Sequence, residues 1–211
     1  MIDFALQLLQ SELETYLKTI IIDRDTLPDD DGVVLDNIAF LQTTDGAAMK
    51  SKVVITLVNI EEEKALKNIN PIHRTLSGFE HRPNPVSLNL YLLFTAYYPG
   101  TDTYIGALKR LSYVISFFQM RNHFTIQNSS AFLAKNDKIF NPAFYEEASK
   151  LRLVLDLYTL TFEQINHLWA SLGGRQVPFV MYKARLVQIR EPDVRQEVPV
   201  IEEIRSTVQP L

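Results

Sequence analysis

The groups in this chain that could move a proton near neutral pH are its four histidines, His73, His81, His123 and His167. Two of them stand beside an arginine, in the pairs His73-Arg74 and His81-Arg82. Imidazole next to guanidinium offers donors that can grip a phosphate or a carboxylate. The same side chains serve equally as surface polar contacts, the common situation of charged residues. No His-x-x-x-His and no Cys/His spacing brings two nitrogen ligands to one metal. Asp29-Asp30-Asp31-Gly32 has the composition of a calcium loop without its spacing. An EF-hand needs oxygen ligands at alternating positions and a glutamate near the twelfth, whereas these acids are consecutive and an apolar run follows. They read as a solvated turn, and Glu61-Glu62-Glu63 as a charged strand end.

The remaining inventory is equally spare. Gly173-Gly174 ends a helical pattern instead of opening one, so it has no phosphate-loop context, and no Gly-x-Ser-x-Gly occurs. With no cysteine there is no thiolate nucleophile, disulfide or cysteine-held metal. Trp169 lies on an apolar helix stripe and reads as core, while Tyr97-Tyr98 fits either a core edge or an interface. A net charge of −4 without any basic run argues against nucleic acid, whose binding rests on neutralised phosphates. No stretch reaches the ~18 apolar residues of a membrane-spanning helix. Met1-Ile2-Asp3-Phe4 lacks the basic start of a signal peptide, so synthesis and folding in the cytosol are expected. No catalytic residue, metal or cofactor is expected. The chain reads as a structural subunit that binds other proteins.

The elements that would position such contacts follow from periodicity. Leu6, Leu9, Leu13, Tyr16, Leu17 and Ile20 predict an amphipathic first helix, ended by the turn chemistry of residues 23–32. Val33 to Gln42 and Lys52 to Ile60 predict a hairpin with Asp45-Gly46 at its turn. The polar stretch Lys64 to Pro85 predicts an exposed loop of about twenty residues, a length that usually carries function. Val86 to Tyr98 alternates as a central strand. Beyond Pro99-Gly100, the spacing of Tyr104, Leu108, Leu111, Ile115 and Phe118 predicts a helix over 101–121. A short strand at 124–127, an irregular region with Asn141-Pro142, and a strand with Leu151, Leu153, Leu155 and Leu157 on one face come next. Thr161-Phe162-Glu163-Gln164 is a capping box, opening a helix that carries Phe162, Ile165, Leu168, Trp169 and Leu172 and is stopped by Gly173-Gly174. Pro178 to Arg190 is a final strand. The order predicts one α+β domain over 1–190, a mixed sheet with helices packed on it.

From Glu191 the character changes. Pro192, Pro199 and Pro210 and mixed charges separate short apolar pieces, so residues 191–211 predict an extended C-terminal arm. Its β-branched and aliphatic residues, Val198, Val200, Ile201 and Ile204 among them, suit a strand added at an open sheet edge. The expectation is an arm that orders on a partner; a tail folded back on its own domain is the alternative.

Three stretches together carry a resemblance. They are Val86 to Pro99 (VSLNLYLLFTAYYP), Tyr104 to Gln119 (YIGALKRLSYVISFFQ), and Leu168 to Gly173 (LWASLG) running into Pro178 to Arg185 (PFVMYKAR). In this order, over roughly residues 1–190, the chain resembles the cap, or tail-terminator, proteins of extracellular contractile injection systems. These are phage-tail-like particles such as antifeeding prophages and virulence cassettes. What repeats is core and element pattern, with no catalytic motif.

The resemblance implies a ring of copies, commonly six, seated on the last ring of the inner tube and of the contractile sheath, ending growth at a fixed length. The implied partners are other copies of this chain, the inner tube protein and the sheath protein. The chain would be made in a bacterial cytoplasm and become part of an assembled particle. His73, Arg74, His81 and Arg82, on the long polar loop, are then the expected contacts beside Val198, Val200, Ile201 and Ile204 of the arm. A small α+β enzyme or ligand-binding protein using the His73–Arg82 loop is the alternative from another class.

Overall fold

The computed structural model describes residues 2–24, 32–63, 72–74, 78–81, 86–99, 103–136, 141–189 and 196–199. In chain order they form α1 (Ile2–Arg24), β1 (Val33–Leu35), two 3-10 helices (Ile38–Phe40 and Thr44–Met49), β2 (Lys52–Glu62), β3 (Ile72–Arg74) and β4 (Gly78–His81). Then come β5 (Val86–Tyr97), α2 (Thr103–Met120), β6 (His123–Thr125), α3 (Ser130–Lys135) and α4 (Pro142–Ser149). The last are β7 (Arg152–Leu157), α5 (Phe162–Ser171), β8 (Phe179–Ile189) and β9 (Gln196–Pro199).

Six strands pair in the order β1-β2-β5-β8-β7-β6, and only β1–β2 is parallel. This is the mixed sheet with packed helices that the element order implies. β5 is central and covered on both faces. Its Leu90, Leu92 and Phe94 face the main core with α1, α2, β7 and β8, while Leu93 packs with Met181 and Trp169 on the other side. A strand buried on both faces keeps its alternation only partly apolar: Asn89 and Thr95 are also buried. The aromatic rings of Phe94, Phe118 and Tyr182 meet at 4.7–5.6 Å in edge-on or tilted pairs, which locks α2 onto the sheet.

The hairpin expected at 33–60 does not form. β1 stops at Leu35 and runs parallel to β2, Val33 opposite Val53. The reason is local. The Asn37 side chain accepts from the Ala39 amide and caps a 3-10 turn. Thr56 Oγ1 fixes the same bend by accepting from Ile38 N (3.1 Å) and donating to Asp36 O (2.6 Å). Gly46 is needed for a different reason than a hairpin turn, because a Cβ there would collide with the Phe40 and Leu41 carbonyls where the two 3-10 helices touch.

Helix faces also differ in part from the periodicity. α1 buries Phe4, Ala5, Leu8, Leu9, Leu13 and Leu17, with Leu6, Tyr16 and Ile20 only half-buried. α2 turns Leu111 and Phe118 inward as expected, joined by Ala107, Val114 and Phe117, but exposes Tyr104, Leu108 and Ile115. α5 buries Trp169 as expected and leaves Phe162 in solvent. The end of β7 exposes Leu157.

Glu12, on the buried face of α1, ties three distant segments together. Its Oε2 accepts from Arg121 Nη1 at 3.0 Å, just beyond α2. Its Oε1 accepts from the Ala131 and Phe132 amides at 2.9 and 3.1 Å, which would otherwise be orphaned at the start of α3. Arg121 also donates to Asn128 and Ser129 and lies over the Phe124 ring at 4.4 Å.

Candidate functional site

The long polar segment 64–85 is not a bare loop where the structure describes it. β3 and β4 form an antiparallel hairpin, and β9, from the predicted arm, adds to β4 as a third strand. The registers set His73 opposite Glu80 and Glu80 opposite Glu197. They also set Arg74 opposite Phe79 and Phe79 opposite Val198, while His81 stands between Ile72 and Gln196. Two segments more than a hundred residues apart in sequence are thus brought into one small sheet: His73 and Arg74 on one outer strand, His81 in the middle, Val198 on the other outer strand. Arg82, Val200, Ile201 and Ile204 lie outside the described residues. Charges and β-branched residues on outer strands are what lets an exposed edge pair with a chosen partner while resisting indiscriminate pairing.

A second surface was not legible in the sequence. On the sheet face covered by α5, a cleft of about 440 Å³ is lined by Asn59, Tyr91, Tyr158, Leu160, Leu168 and Met181, among others. A register shift in the β2–β5 ladder between Leu57 and Asn59 sets Asn59 opposite Tyr91 at this cleft. The Tyr91 and Tyr158 rings meet edge-on at 5.2 Å. Tyr91 donates its hydroxyl to Glu61 Oε2 at 2.7 Å, and Asn89 donates to Glu63 at 3.0 Å. Lys183 stands 4.0 Å from Glu63, and Arg185 donates to Asp156 at 2.6 Å. The acids closing β2 are therefore cross-strand partners as well as a charged end.

The hydrogen bond to Glu61, aided by burial and by the charge of Glu61, pushes the Tyr91 hydroxyl up to about 12. A folded-state pKa above the ordinary ~10 means that this proton stabilises the fold fully below pH ~10. That contribution is lost as pH rises toward 12. Titrating tyrosinate absorbance in the parent and in Tyr91→Phe is expected to show one late-titrating group missing from the variant. Equal late fractions in the two proteins would mean that Tyr91 ionises normally.

Chemically the cleft can hold an apolar or aromatic group and hydrogen-bond its edge. His167 is exposed on its rim, its Nε2 3.9 Å from Glu163, and Ser171, one turn on, lines the same cleft with its hydroxyl donating to Leu168 O at 2.8 Å. His123 is likewise exposed. Among the described residues no three His, Asp or Glu side chains group as metal ligands, and no helix is long and apolar enough to cross a membrane.

Two solved structures share this fold. One is the PVC sheath/tube terminator of an extracellular contractile injection system in its extended state, with a TM-score of 0.55 and 14% identity over 97% of this chain. The other is the anti-feeding prophage cap, a tube-terminating cap, with a TM-score of 0.54 and 13% identity over 96% of this chain. The chain spans 63% and 61% of the length of those two proteins. At such identity the likeness is one of fold. No curated protein matches the sequence. The model of the Pvc16 N-terminal domain family matches residues 5–203, nearly the whole chain including β9, and the chain belongs to that family.

Proposed function

We propose that this chain is a structural, non-enzymatic cap subunit that ends the tube and sheath of a contractile injection system. The observation that carries the reading is a fold shared along 97% of the chain with a sheath/tube terminator. In this reading several copies, six in the simplest case, close into a ring on the last tube and sheath rings and stop growth. A head-to-tail contact closes into a ring when its rotation divides the circle. A ring that binds the open end but offers no equivalent surface beyond it fixes the length. The small sheet of β3, β4 and β9 is the proposed contact with tube or sheath, through His73, Arg74, His81 and Val198; Arg82, Val200, Ile201 and Ile204, outside the described residues, are proposed contacts as well. The arm's pairing with β4 of its own chain favours a tail that folds back and then extends an existing sheet. A partner strand would add at an outer edge of that sheet.

Electron microscopy of particles assembled with the full chain, without it, and with a chain truncated after Arg190 tests the proposal. Without the chain, sheathed tubes of uniform length are expected to give way to tubes of scattered length or lacking sheath. The truncated chain is expected to fold but to leave the sheath unattached. Particles of unchanged length in its absence would refute the cap reading. A truncated chain that melts early would place the arm in the core of the domain.

A further inference from the structure

Three of the described residues have φ in the left-handed region: Ser51 (59°), Gly173 (101°) and Gly174 (79°). All three stand within two residues of a cation, Ser51 just after Lys50 and the two glycines just before Arg175. A serine in that region is strained, and such strain persists only where the surroundings hold it. Here the Ser51 amide donates to Tyr97 O at 2.9 Å, and Met49, two residues earlier, is fully buried. On the other side the Gly174 amide donates to Trp169 O at 2.6 Å. Arg175 follows Leu172 and precedes Val177, which belong to the same core as Leu41, Met49 and Trp169. The backbone that carries each cation is therefore anchored in one packed cluster.

Lys50 and Arg175 line one cavity of about 240 Å³ together with Leu41, Gln42 and Tyr97. It shares no lining residue with the tyrosine cleft. No acid lines it, although the chain carries 25 acids against 21 bases. Arg121, Lys135, Lys183 and Arg185 each have a carboxylate within 4.0 Å. Among the described residues the side chains of Lys50 and Arg175 have none, and those of Gln42 and Tyr97 make no hydrogen bond. Two like charges at one cavity repel, and an anion between them replaces that repulsion with attraction. A guanidinium forks onto two oxygens, an ammonium adds a point charge, and a phenol and an amide supply further donors. That set matches the oxygens of a carboxylate or a phosphate. Leu41 offers an apolar wall to the carbon that bears the anion.

We infer that this cavity is a binding site for a carboxylate or phosphate group, held between Lys50 and Arg175. Bound there, the anion bridges the end of the second 3-10 helix to the turn after α5, beside the end of β5. The inference does not depend on the cap reading. Two sources carry this chemistry: a free small anion, or an acidic side chain of a neighbouring protein.

Calorimetric titration of the purified chain with inorganic phosphate and with citrate, at an ionic strength fixed by sodium chloride, tests the site. One anion per chain is expected to bind saturably to the parent. Lys50→Gln and Arg175→Gln, both at exposed positions, are expected to melt like the parent. Each should weaken binding about ten-fold or more, the worth of a hydrogen bond to a charged group. Arg175→Lys keeps the charge without the fork and is expected to fall between parent and Arg175→Gln. No saturable binding of either anion, or variants that bind as the parent does, overturns the inference. Carbodiimide, which joins an amine to a carboxylate in contact with it, then separates the two sources in assembled particles. A peptide linking Lys50 to an acid of another chain identifies a protein carboxylate as the occupant. Its absence, with phosphate or citrate bound by the purified chain, identifies a free anion. Particles that lack this chain would refute the cap reading, and the titration would still decide the site.

Discussion

Replacing Leu111 with Asp is expected to leave no folded protein at room temperature, while Ile115→Asp, four residues on, melts within a few degrees of the parent. Leu111 is 7% exposed in a small core with Ala96, Ala107 and Val180, at the point where α2 crosses β5 and β8. A carboxylate there sits among apolar side chains and is largely cut off from water. An unpaired buried charge costs several kcal/mol, against a total stability of ~5–15 kcal/mol. Ile115 lies one turn on and about 40° round the same helix, at the solvent edge of that face and 36% exposed, where an aspartate is solvated and costs only helix propensity. Circular dichroism melts of both variants check the pair. If Leu111→Asp melts like the parent, or Ile115→Asp unfolds, the helix is rotated from the orientation described.

Glu12→Ala carries the second large effect, about 3 kcal/mol of stability. That is the low end of the ~3–5 kcal/mol seen when one partner of a buried pair is removed, because Arg121 keeps 29% exposure and can reach water. The loss has two parts. Arg121 loses its carboxylate, and the Ala131 and Phe132 amides lose their acceptor at the start of α3. A double-mutant cycle with Arg121→Met separates them: if the ion pair dominates, adding Arg121→Met costs little more than Glu12→Ala alone. If the amides dominate, the two losses add. Urea midpoints for the four proteins give the coupling. A Glu12→Ala protein as stable as its parent would leave the hub without energetic weight.

β5, α2, the capping box of α5 and β8 are readable because long alternation, a helical period or a cap pair leaves one reading open. The face of α2 is only half readable, since apolar residues on both sides let a 4-3-4-3 spacing fit a stripe that mixes inside with outside. β1 is misread as a long hairpin strand because Val33 to Gln42 is β-branched and apolar, while the side chains of Asn37 and of distant Thr56 decide the bend. α4 hides in a region that looks irregular, although Pro142 stands at its first position, where proline is well tolerated. The chemistry-bearing pairs His73-Arg74 and His81-Arg82 are conspicuous, yet nothing local says that β9 would pair beside them, because sheet partners are chosen by tertiary contacts. The tyrosine cleft is invisible for the same reason: Asn59, Tyr91, Tyr158 and Met181 come from four separate segments.

The order in which the chain is made bears on α1. Its buried residues Phe4, Leu8, Leu9, Leu13 and Leu17 share a core with Tyr182, Ala184 and Leu186 of β8, and Glu12 waits for amides 119 and 120 residues later. At ~5–20 residues per second, the interval between the synthesis of α1 and of its last packing partners is on the order of 10–30 s. For that time the core around the helix is incomplete: β1 lies against it early, but α3, its other main neighbour, follows more than a hundred residues later. Folding of the main core is therefore a late event on the ribosome, and a chain interrupted before Leu186 presents its first helix to any apolar surface within reach.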